Sequence, residues 1–247
     1  MKSIKKCTLI GVEGVEKRIP QFLKAADICQ HYIEFGDVKL LSPFDLKRKE
    51  WTKIKPMKDR ETYCKFIIND LHKYIDTEYF LLFQNDGWIL NPDAWEDEFL
   101  NYDYIGAPWT WDEYPCGNGG FTLRSKALME ECSKMITGVY EPEDLVICTK
   151  YRPYLEKKGF KFAPREVAER FSLEKNARYV DKWNGQFGFH DIEKTDISGW
   201  KPPKKEFNLD WDQLTMQVKS RGRKYNEYPP TIAASALKLS KDERKRL

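Results

Sequence analysis

The stretch "YFLLFQNDGWIL", residues 79–90, decides the fold. It begins with an apolar run of the length of a buried strand, and Asp86 and Gly87 follow that run almost directly. A carboxylate at the end of an apolar strand is costly to bury unless a partner compensates its charge. Asp86 therefore either opens a turn or meets a cation or a substrate.

The segments before this stretch alternate between strand and helix patterns. Short apolar runs at residues 7–12 and 38–41 predict strands, and helical spacing of apolar residues predicts helices over 19–33 and 59–74. This order predicts an α/β fold with a mostly parallel central sheet. Ligands of such sheets gather beyond the carboxyl ends of the strands, which favours a ligand contact for Asp86 over a plain turn.

Composition excludes several classes of protein. The 247 residues, 41% of them hydrophobic, suffice for one large α/β domain, and the net charge of +3 gives no reason to expect a nucleic-acid partner. Six cysteines without a C-x-x-C pair disfavour a zinc ribbon or a thioredoxin-like site. Neither a signal peptide, a membrane span nor an N-x-[ST] sequon is visible, so we expect a cytoplasmic protein with reduced cysteines.

The C-terminal end differs in character from the rest of the chain. We expect a domain over residues 1–194 and an irregular, Pro/Lys-rich extension over 195–247, with a helix at 211–219. Basic residues crowd this extension: Lys219, Arg221, Arg223, Lys224, Lys238, Lys241, Arg244, Lys245 and Arg246. They could contact an anionic membrane surface, or they could be solvated surface charge.

A glycine-rich turn, "CGNGGFTLRS" at residues 116–125, runs into a strand pattern. It lacks the Lys and Ser/Thr of a P-loop and opens no helix, which argues against a phosphate cradle. Trp109, Trp111 and Tyr114 lie just upstream. Their flat faces suit either a protein core or a sugar ring.

Two further segments carry residues that could act chemically. Glu143 and Asp144 follow Pro142, where carboxylates either favour the start of a helix or provide a general base. His190 ends "FGFH", and a single histidine is either a core residue or a ligand. With Asp86, waters and phosphate oxygens, His190 would suit Mn²⁺ or Mg²⁺.

The order of these segments resembles the GT-A class of nucleotide-sugar glycosyltransferases, and within it a family of bacterial and viral glycosyltransferase-like domains (DUF5672-like). The resemblance covers roughly residues 7–191. It rests on "FLLFQNDGWILNPDAWEDEFLNYDYIGAPW", "GNGGFTLRSKAL", "PEDLVICTKYRPYLEKKGFKFAP", "FSLE" and "FGFH". It implies a GT-A, Rossmann-like fold and transfer of a sugar from a nucleotide-diphosphate donor, UDP being the expected nucleotide, to a glycan or lipid-linked acceptor.

The resemblance also implies a donor site. In GT-A enzymes a D-x-D motif binds the divalent ion that holds the donor diphosphate, and here Gln84-Asn85-Asp86 occupies that place with only the last acid retained. The implied donor-binding residues are Val12, Asn85, Asp86 and Gly87. Asp86 and His190 are the implied ligands of Mn²⁺ or Mg²⁺.

The implied acceptor side includes Trp109, Gly119, Gly120 and Phe121. Asp144, with Glu143 beside it, is the implied general base of an inverting transfer, with retention as the alternative stereochemistry. Two other functions fit the same residues. One is a degenerate GT-A fold that binds a glycan or nucleotide without chemistry, and the other is a metal-dependent phosphoesterase or nucleotidyltransferase.

Overall fold

A computed structural model describes residues 1–109, 114–138, 140, 142–174 and 182–201. The strands in this part of the chain are β1 (Lys2–Val12), β2 (Ile33–Ser42), β3 (Trp51–Lys53), β4 (Tyr79–Phe83), β5 (Tyr104–Ile105), β6 (Phe121–Ser125), β7 (Ser172–Leu173) and β8 (Gly188–Phe189). Six of them form one sheet in the order β3-β2-β1-β4-β6-β5, and β7 pairs with β8.

The central sheet is mostly parallel, as the sequence predicts. β1 pairs in parallel with both β2 and β4, and β3 extends this parallel set beyond β2. β6 runs antiparallel to β4 and to β5. The α/β fold class is therefore confirmed, and β3 is a strand additional to those predicted from the sequence.

The α-helices of the described residues are α1 (Ile19–Tyr32), α2 (Arg60–Asn69), α3 (Lys126–Met135), α4 (Glu143–Leu145), α5 (Arg152–Lys157) and α6 (Arg165–Phe171). Local chemistry starts several of them. Pro20 occupies the first turn of α1, where its missing N–H costs nothing. Asp59 accepts a hydrogen bond from Thr62 N at 2.8 Å and so begins α2, and Ser125 begins α3 in the same way.

Three predicted elements differ in detail. The helix expected over 59–74 ends at Asn69, because Asp70 leaves the helical conformation, and a separate 3₁₀ turn follows at Leu71–Tyr74. The sequence pattern after Asn91 also predicts a short helix, and the structure has two 3₁₀ turns there instead, at Pro92–Ala94 and Asp97–Asn101. The apolar run at 161–164 likewise predicts a short strand, and the structure has only a single bridge there, between Phe162 and Tyr104.

Close packing over β1 fixes the position of α1 against the sheet. Phe22 of α1 stacks on Phe83 of β4 with ring centroids 5.1 Å apart. A Cβ atom at Gly11 would overlap both rings, so only glycine fits beneath this pair. The contact joins α1 to the last residue of β4, where the functional segment begins.

The register of β6 brings distant segments to one edge of the sheet. Phe121, the first residue of β6, lies opposite Phe83, the last residue of β4. Because the two strands are antiparallel, Gly119 and Gly120 precede β6 at the same edge at which Asp86 follows β4. Asp86, which follows a buried strand, therefore lies at the same edge of the sheet as these two glycines.

Residues 195–201 pack against the rest of the domain. Trp200 donates from its indole N–H to Leu90 O at 3.1 Å, and its ring lies 5.8 Å from that of Trp88. The predicted boundary at residue 195 stays a prediction. The remainder of the predicted extension, with its helix at 211–219 and its basic end, lies outside the described residues.

Within the described residues, no helix combines the length and the apolar character that a bilayer crossing requires.

Replacing Trp200 tests whether this packing stabilises the domain. We expect Trp200→Ala to lower the free energy of unfolding by about 3 kcal/mol, because it removes a large buried side chain and its hydrogen bond. Chemical denaturation measures the change. Ser198→Ala, an exposed position in the same segment, is the matched control, and equal stabilities for the two variants would contradict the expectation.

Candidate active site

Asp86 and His190 meet at the carboxyl edge of the sheet. β8 reaches this edge because Gly188 bridges to Ile89 and Phe189 N donates to Trp88 O. His190 follows β8 directly, and its Nε2 atom lies 3.3 Å from Asp86 Oδ1. The structure therefore brings together the two residues that the sequence analysis assigns to a metal.

The turn after His190 holds it in place. Asp191 adopts a left-handed conformation with φ of 60°, which is uncommon for a residue other than glycine. Lys194 pairs with the Asp191 carboxylate, and Thr195 Oγ1 donates to His190 O at 2.7 Å. Ile192 N donates to Asp86 O, so the same turn also binds the Asp86 backbone.

Charge balance around His190 involves a second carboxylate, Glu174. Its Oε1 atom lies 3.6 Å from His190 Nδ1, on the side of the ring away from Asp86. Burial alone would lower the pKa of His190, but Asp86 and Glu174 raise the pKa well above its usual value. For Asp86 the signs are reversed. Burial alone would raise the pKa of Asp86, but the neighbouring His190 outweighs this effect and lowers the pKa.

Gln84 stands where the D-x-D pattern of GT-A enzymes would have its first acid. Its Oε1 atom lies 3.3 Å from His190 Nε2, and its Nε2 atom donates to Tyr63 OH at 3.0 Å. Gln84 therefore links α2 to His190 without adding a charge. An acid at this position would add a third carboxylate beside the imidazole.

Once His190 has lost its Nε2 proton, the Asp86–His190 pair fits part of a divalent metal site, because a ligating imidazole must be neutral. Asp86 Oδ1 is buried and lies 3.3 Å from His190 Nε2, without a well-aligned hydrogen bond from the described residues. Mn²⁺ and Mg²⁺ complete their coordination with waters and phosphate oxygens. In the part of the chain that the structure describes, no group of three or more His, Cys, Asp or Glu side chains could hold a metal. Any ion here would need ligands from a substrate or from water.

Gly119 and Gly120 separate this pair from a second group of acids. A Cβ atom on Gly120 would overlap the His190 ring, and one on Gly119 would overlap Glu143 Oε1. The His190 ring thus packs against Gly120, and the Glu143 carboxylate packs against Gly119. This double glycine is where the predicted metal side and the predicted base side adjoin.

Asp144 is held beside the double glycine by two backbone N–H groups. Gly119 N donates to its Oδ2 at 3.1 Å, and Leu145 N donates to its Oδ1 at 2.9 Å. Burial, followed by the charge of Glu143, raises the pKa of Asp144 to about 7. A carboxylate with this pKa can accept a proton near neutral pH.

Glu143 has a different environment from Asp144. It is buried, and its Oε1 atom pairs with Arg124 Nη2 at 3.1 Å. Its Oε2 atom lies 3.9 Å from Cys64 Sγ. Both oxygens therefore have partners within the protein.

The remaining predicted residues lie close to this edge, and their assignments stay predictions. Val12 ends β1 and is buried, while Asn85 lies partly buried in the turn before Asp86. Gly87 approaches Phe189 O so closely that a Cβ atom would overlap it. Trp109 is 6% exposed and Phe121 is fully buried, Trp109 packed over Gly117 and Phe121 against Phe171.

Sequence reasoning missed three residues of the site: Gln84 as a partner of His190, Arg124 and Glu174. Glu174 follows β7 directly, so an acid after a short apolar run could have identified it as it identified Asp86. Arg124 lies in a buried strand, and a cation in an apolar strand signals a buried partner.

Gly120→Ala tests the close approach of His190 to β6. The added methyl group must displace the imidazole ring, so we expect a loss of unfolding free energy of about 1 to 3 kcal/mol. The ring signals of His190 in NMR spectra should shift as well. Gly199→Ala is the matched control, because a Cβ atom there makes only ordinary contacts. Unchanged His190 signals in Gly120→Ala would contradict the geometry.

Asp144→Asn tests the raised pKa through protein stability. Between about pH 4 and about pH 7 the folded protein keeps a proton on Asp144 that the unfolded chain has lost, so stability falls as pH rises through this window. Asp144→Asn removes this loss. Relative to the unsubstituted protein, the free energy of unfolding of the variant should rise by on the order of 2 to 4 kcal/mol between pH 4 and pH 7. Above pH 7 the difference between the two proteins should stay constant.

Chemical denaturation at a series of pH values measures the gain. Asp76→Asn, at an exposed aspartate, is the control and should show no such trend. A pH-independent difference between Asp144→Asn and the unsubstituted protein would show that Asp144 titrates normally.

Comparisons with solved structures give matches at low sequence identity. A glycosyltransferase involved in glycosylation of the major capsid of PBCV-1 is 11% identical, with 86% of this chain and 98% of that chain covered and a TM-score of 0.47. The inositol-1-phosphate CTP transferase from T. maritima is 11% identical, with 87% and 97% covered and a TM-score of 0.44. The bifunctional IspDF from Campylobacter jejuni is 13% identical, with 72% of this chain covered and a TM-score of 0.43, and the match spans 51% of that longer protein.

Comparison with curated proteins gives no match. The sequence profile of one family, described as "Protein of unknown function (DUF5672)", matches residues 47–190. This segment contains Asp86, the double glycine, Asp144 and His190, and it amounts to more than half of the chain. The chain therefore belongs to the DUF5672 family.

Proposed function

We propose that the chain is a glycosyltransferase that moves a sugar from a nucleotide-diphosphate donor, UDP being the nucleotide we expect, to a hydroxyl group of a glycan or lipid-linked acceptor. One observation carries the proposal: an Asp86–His190 pair and a carboxylate with a pKa of about 7 adjoin the same double glycine. The first is suited to a metal-bound diphosphate, and the second to a proton acceptor.

Asp144 would act as the general base. As the acceptor oxygen forms its bond to the anomeric carbon, the acceptor O–H proton passes to the Asp144 carboxylate. The bond between the anomeric carbon and the diphosphate oxygen breaks, and its electron pair leaves with the diphosphate. This single displacement inverts the anomeric centre. The base must lie within hydrogen-bond reach of the acceptor, so the acceptor would bind beside Gly119 and Asp144.

Asp86 and His190 would hold Mn²⁺ or Mg²⁺ on the donor side. A divalent cation there stabilises the negative charge of the leaving diphosphate. Glu174 would orient His190, because histidines that bind metals generally have a carboxylate or carbonyl at the second ring nitrogen. Val12, Asn85 and Gly87 would contact the donor from the ends of β1 and β4.

A donor panel with substituted proteins tests the proposal. We expect UDP release and a mass increase of a sugar acceptor with the unsubstituted protein, and a loss of about 10²- to 10⁴-fold in Asp144→Asn. Asp144→Asn should keep the thermal stabilisation given by UDP with Mn²⁺, because it leaves the donor side intact. Asp86→Asn should lose both transfer and stabilisation. Glu78→Gln, an exposed acid at the opposite end of β4, is the matched control.

Three outcomes would contradict the proposal. Full transfer by Asp144→Asn would remove that residue as the base. Release of phosphate or pyrophosphate without sugar transfer would indicate a phosphoesterase or nucleotidyltransferase. Nucleotide or glycan binding without any turnover across the panel would indicate a binding module.

A further inference from the structure

A fully buried cation, Arg124, lies beneath the candidate base. Its Nη2 atom donates to Glu143 Oε1 at 3.1 Å, and its Nε atom donates to Thr122 Oγ1 at 3.0 Å. Its guanidinium carbon lies 4.7 Å from the ring centre of Tyr104. A buried arginine is costly unless its charge is paired and its N–H groups are bonded, and these contacts supply both conditions.

The contact with Arg124 also holds the Glu143 carboxylate in the protein interior. One carboxylate oxygen pairs with Arg124, the other faces Cys64, and the residue is 6% exposed. Asp144 is the next residue in the chain, yet its carboxylate is turned to the double glycine, where it accepts from Gly119 N. The Glu143 carboxylate thus lies in the protein interior, and the Asp144 carboxylate lies in the candidate site.

We infer that Glu143 is a positioning residue: buried Arg124 fixes its carboxylate against Gly119, the same residue whose N–H binds the Asp144 carboxylate, and this fixed negative charge strengthens Asp144 as a proton acceptor. The inference rests on the proposed function, in which Asp144 is the base. It also assigns the two acids different roles, since Glu143 itself takes no proton from the acceptor.

Other charged groups around Asp144 act in both directions. Five titratable or charged groups influence Asp144: Glu143, Tyr104, Arg124, Cys148 and Glu174. They lie on α4, on β5 and β6, on the π-helical segment Val146–Lys150 and directly after β7. Burial raises the pKa of Tyr104 and Cys148 well above their usual values, so both are neutral near pH 7. Glu143 and Glu174 favour the protonated form of Asp144, and Arg124 opposes them. After burial, Glu143 is the largest cause of the raised pKa of Asp144.

Direct titration of Asp144 tests the inference without any need for turnover. The protein is labelled with ¹³C at aspartate carboxyl carbons, and Asp144→Asn identifies the signal of Asp144. We expect a titration midpoint near pH 7 in the unsubstituted protein and a midpoint lower by about one pH unit or more in Glu143→Gln. Glu166→Gln, at an exposed acid on α6, should leave the midpoint unchanged.

A second variant guards against failure of Glu143→Gln to fold. The double substitution Arg124→Met with Glu143→Gln replaces the ion pair by neutral side chains of similar size, which proteins often tolerate. Because Glu143 raises the midpoint more than Arg124 lowers it, the double variant should titrate between the unsubstituted protein and Glu143→Gln. A midpoint in both variants within a few tenths of that of the unsubstituted protein would overturn the inference.

The pH dependence of kcat separates this inference from the proposed function. If both hold, the acidic limb of kcat should move to lower pH in Glu143→Gln by the same amount as the Asp144 midpoint. If the midpoint moves and neither the unsubstituted protein nor any variant transfers a sugar, the effect of Glu143 on the titration of Asp144 stands and the proposed function fails. If the protein transfers a sugar and the midpoint does not move, the proposed function stands and the role of Glu143 fails.

Discussion

The candidate site depends on the absence of two side chains. Gly119 and Gly120 leave space that the His190 ring enters on one side and the Glu143 carboxylate on the other. The register of β6 against β4 places these glycines at the end of the sheet. Because glycine has no Cβ atom, the His190 ring and the Glu143 carboxylate can pack against the backbone there. A larger residue at either position would push His190 or Glu143 out of its place.

The two aspartates of the site differ because their neighbours differ. Asp86 lies against His190, which lowers the pKa of Asp86 despite its burial. Asp144 is partly buried beside another acid, and its pKa rises to about 7. Two carboxylates with opposite pKa shifts commonly have separate chemical tasks. The arrangement suits one group that stays charged next to a cation and one that exchanges protons.

Much of this arrangement could be predicted from the sequence, because strand ends are local signals. An apolar run followed by Asp86, and a glycine-rich turn followed by a strand, place both segments at sheet termini without knowledge of the fold. The antiparallel direction of β6 is not local, since it depends on pairing across about forty residues of sequence. The partnership of Arg124 with Glu143 depends on that direction.

The length of chain between partners has a consequence for synthesis. Gln84 and His190 are in contact although they are separated by 106 residues. β1 to β4 can pair as soon as they have left the ribosome, since their parallel ladders involve only the first third of the chain. His190 arrives much later, so a nascent chain that has already formed its parallel sheet would still lack the imidazole. We therefore expect the parallel sheet to form early, and ligand-binding capacity to arise as a late, separate event.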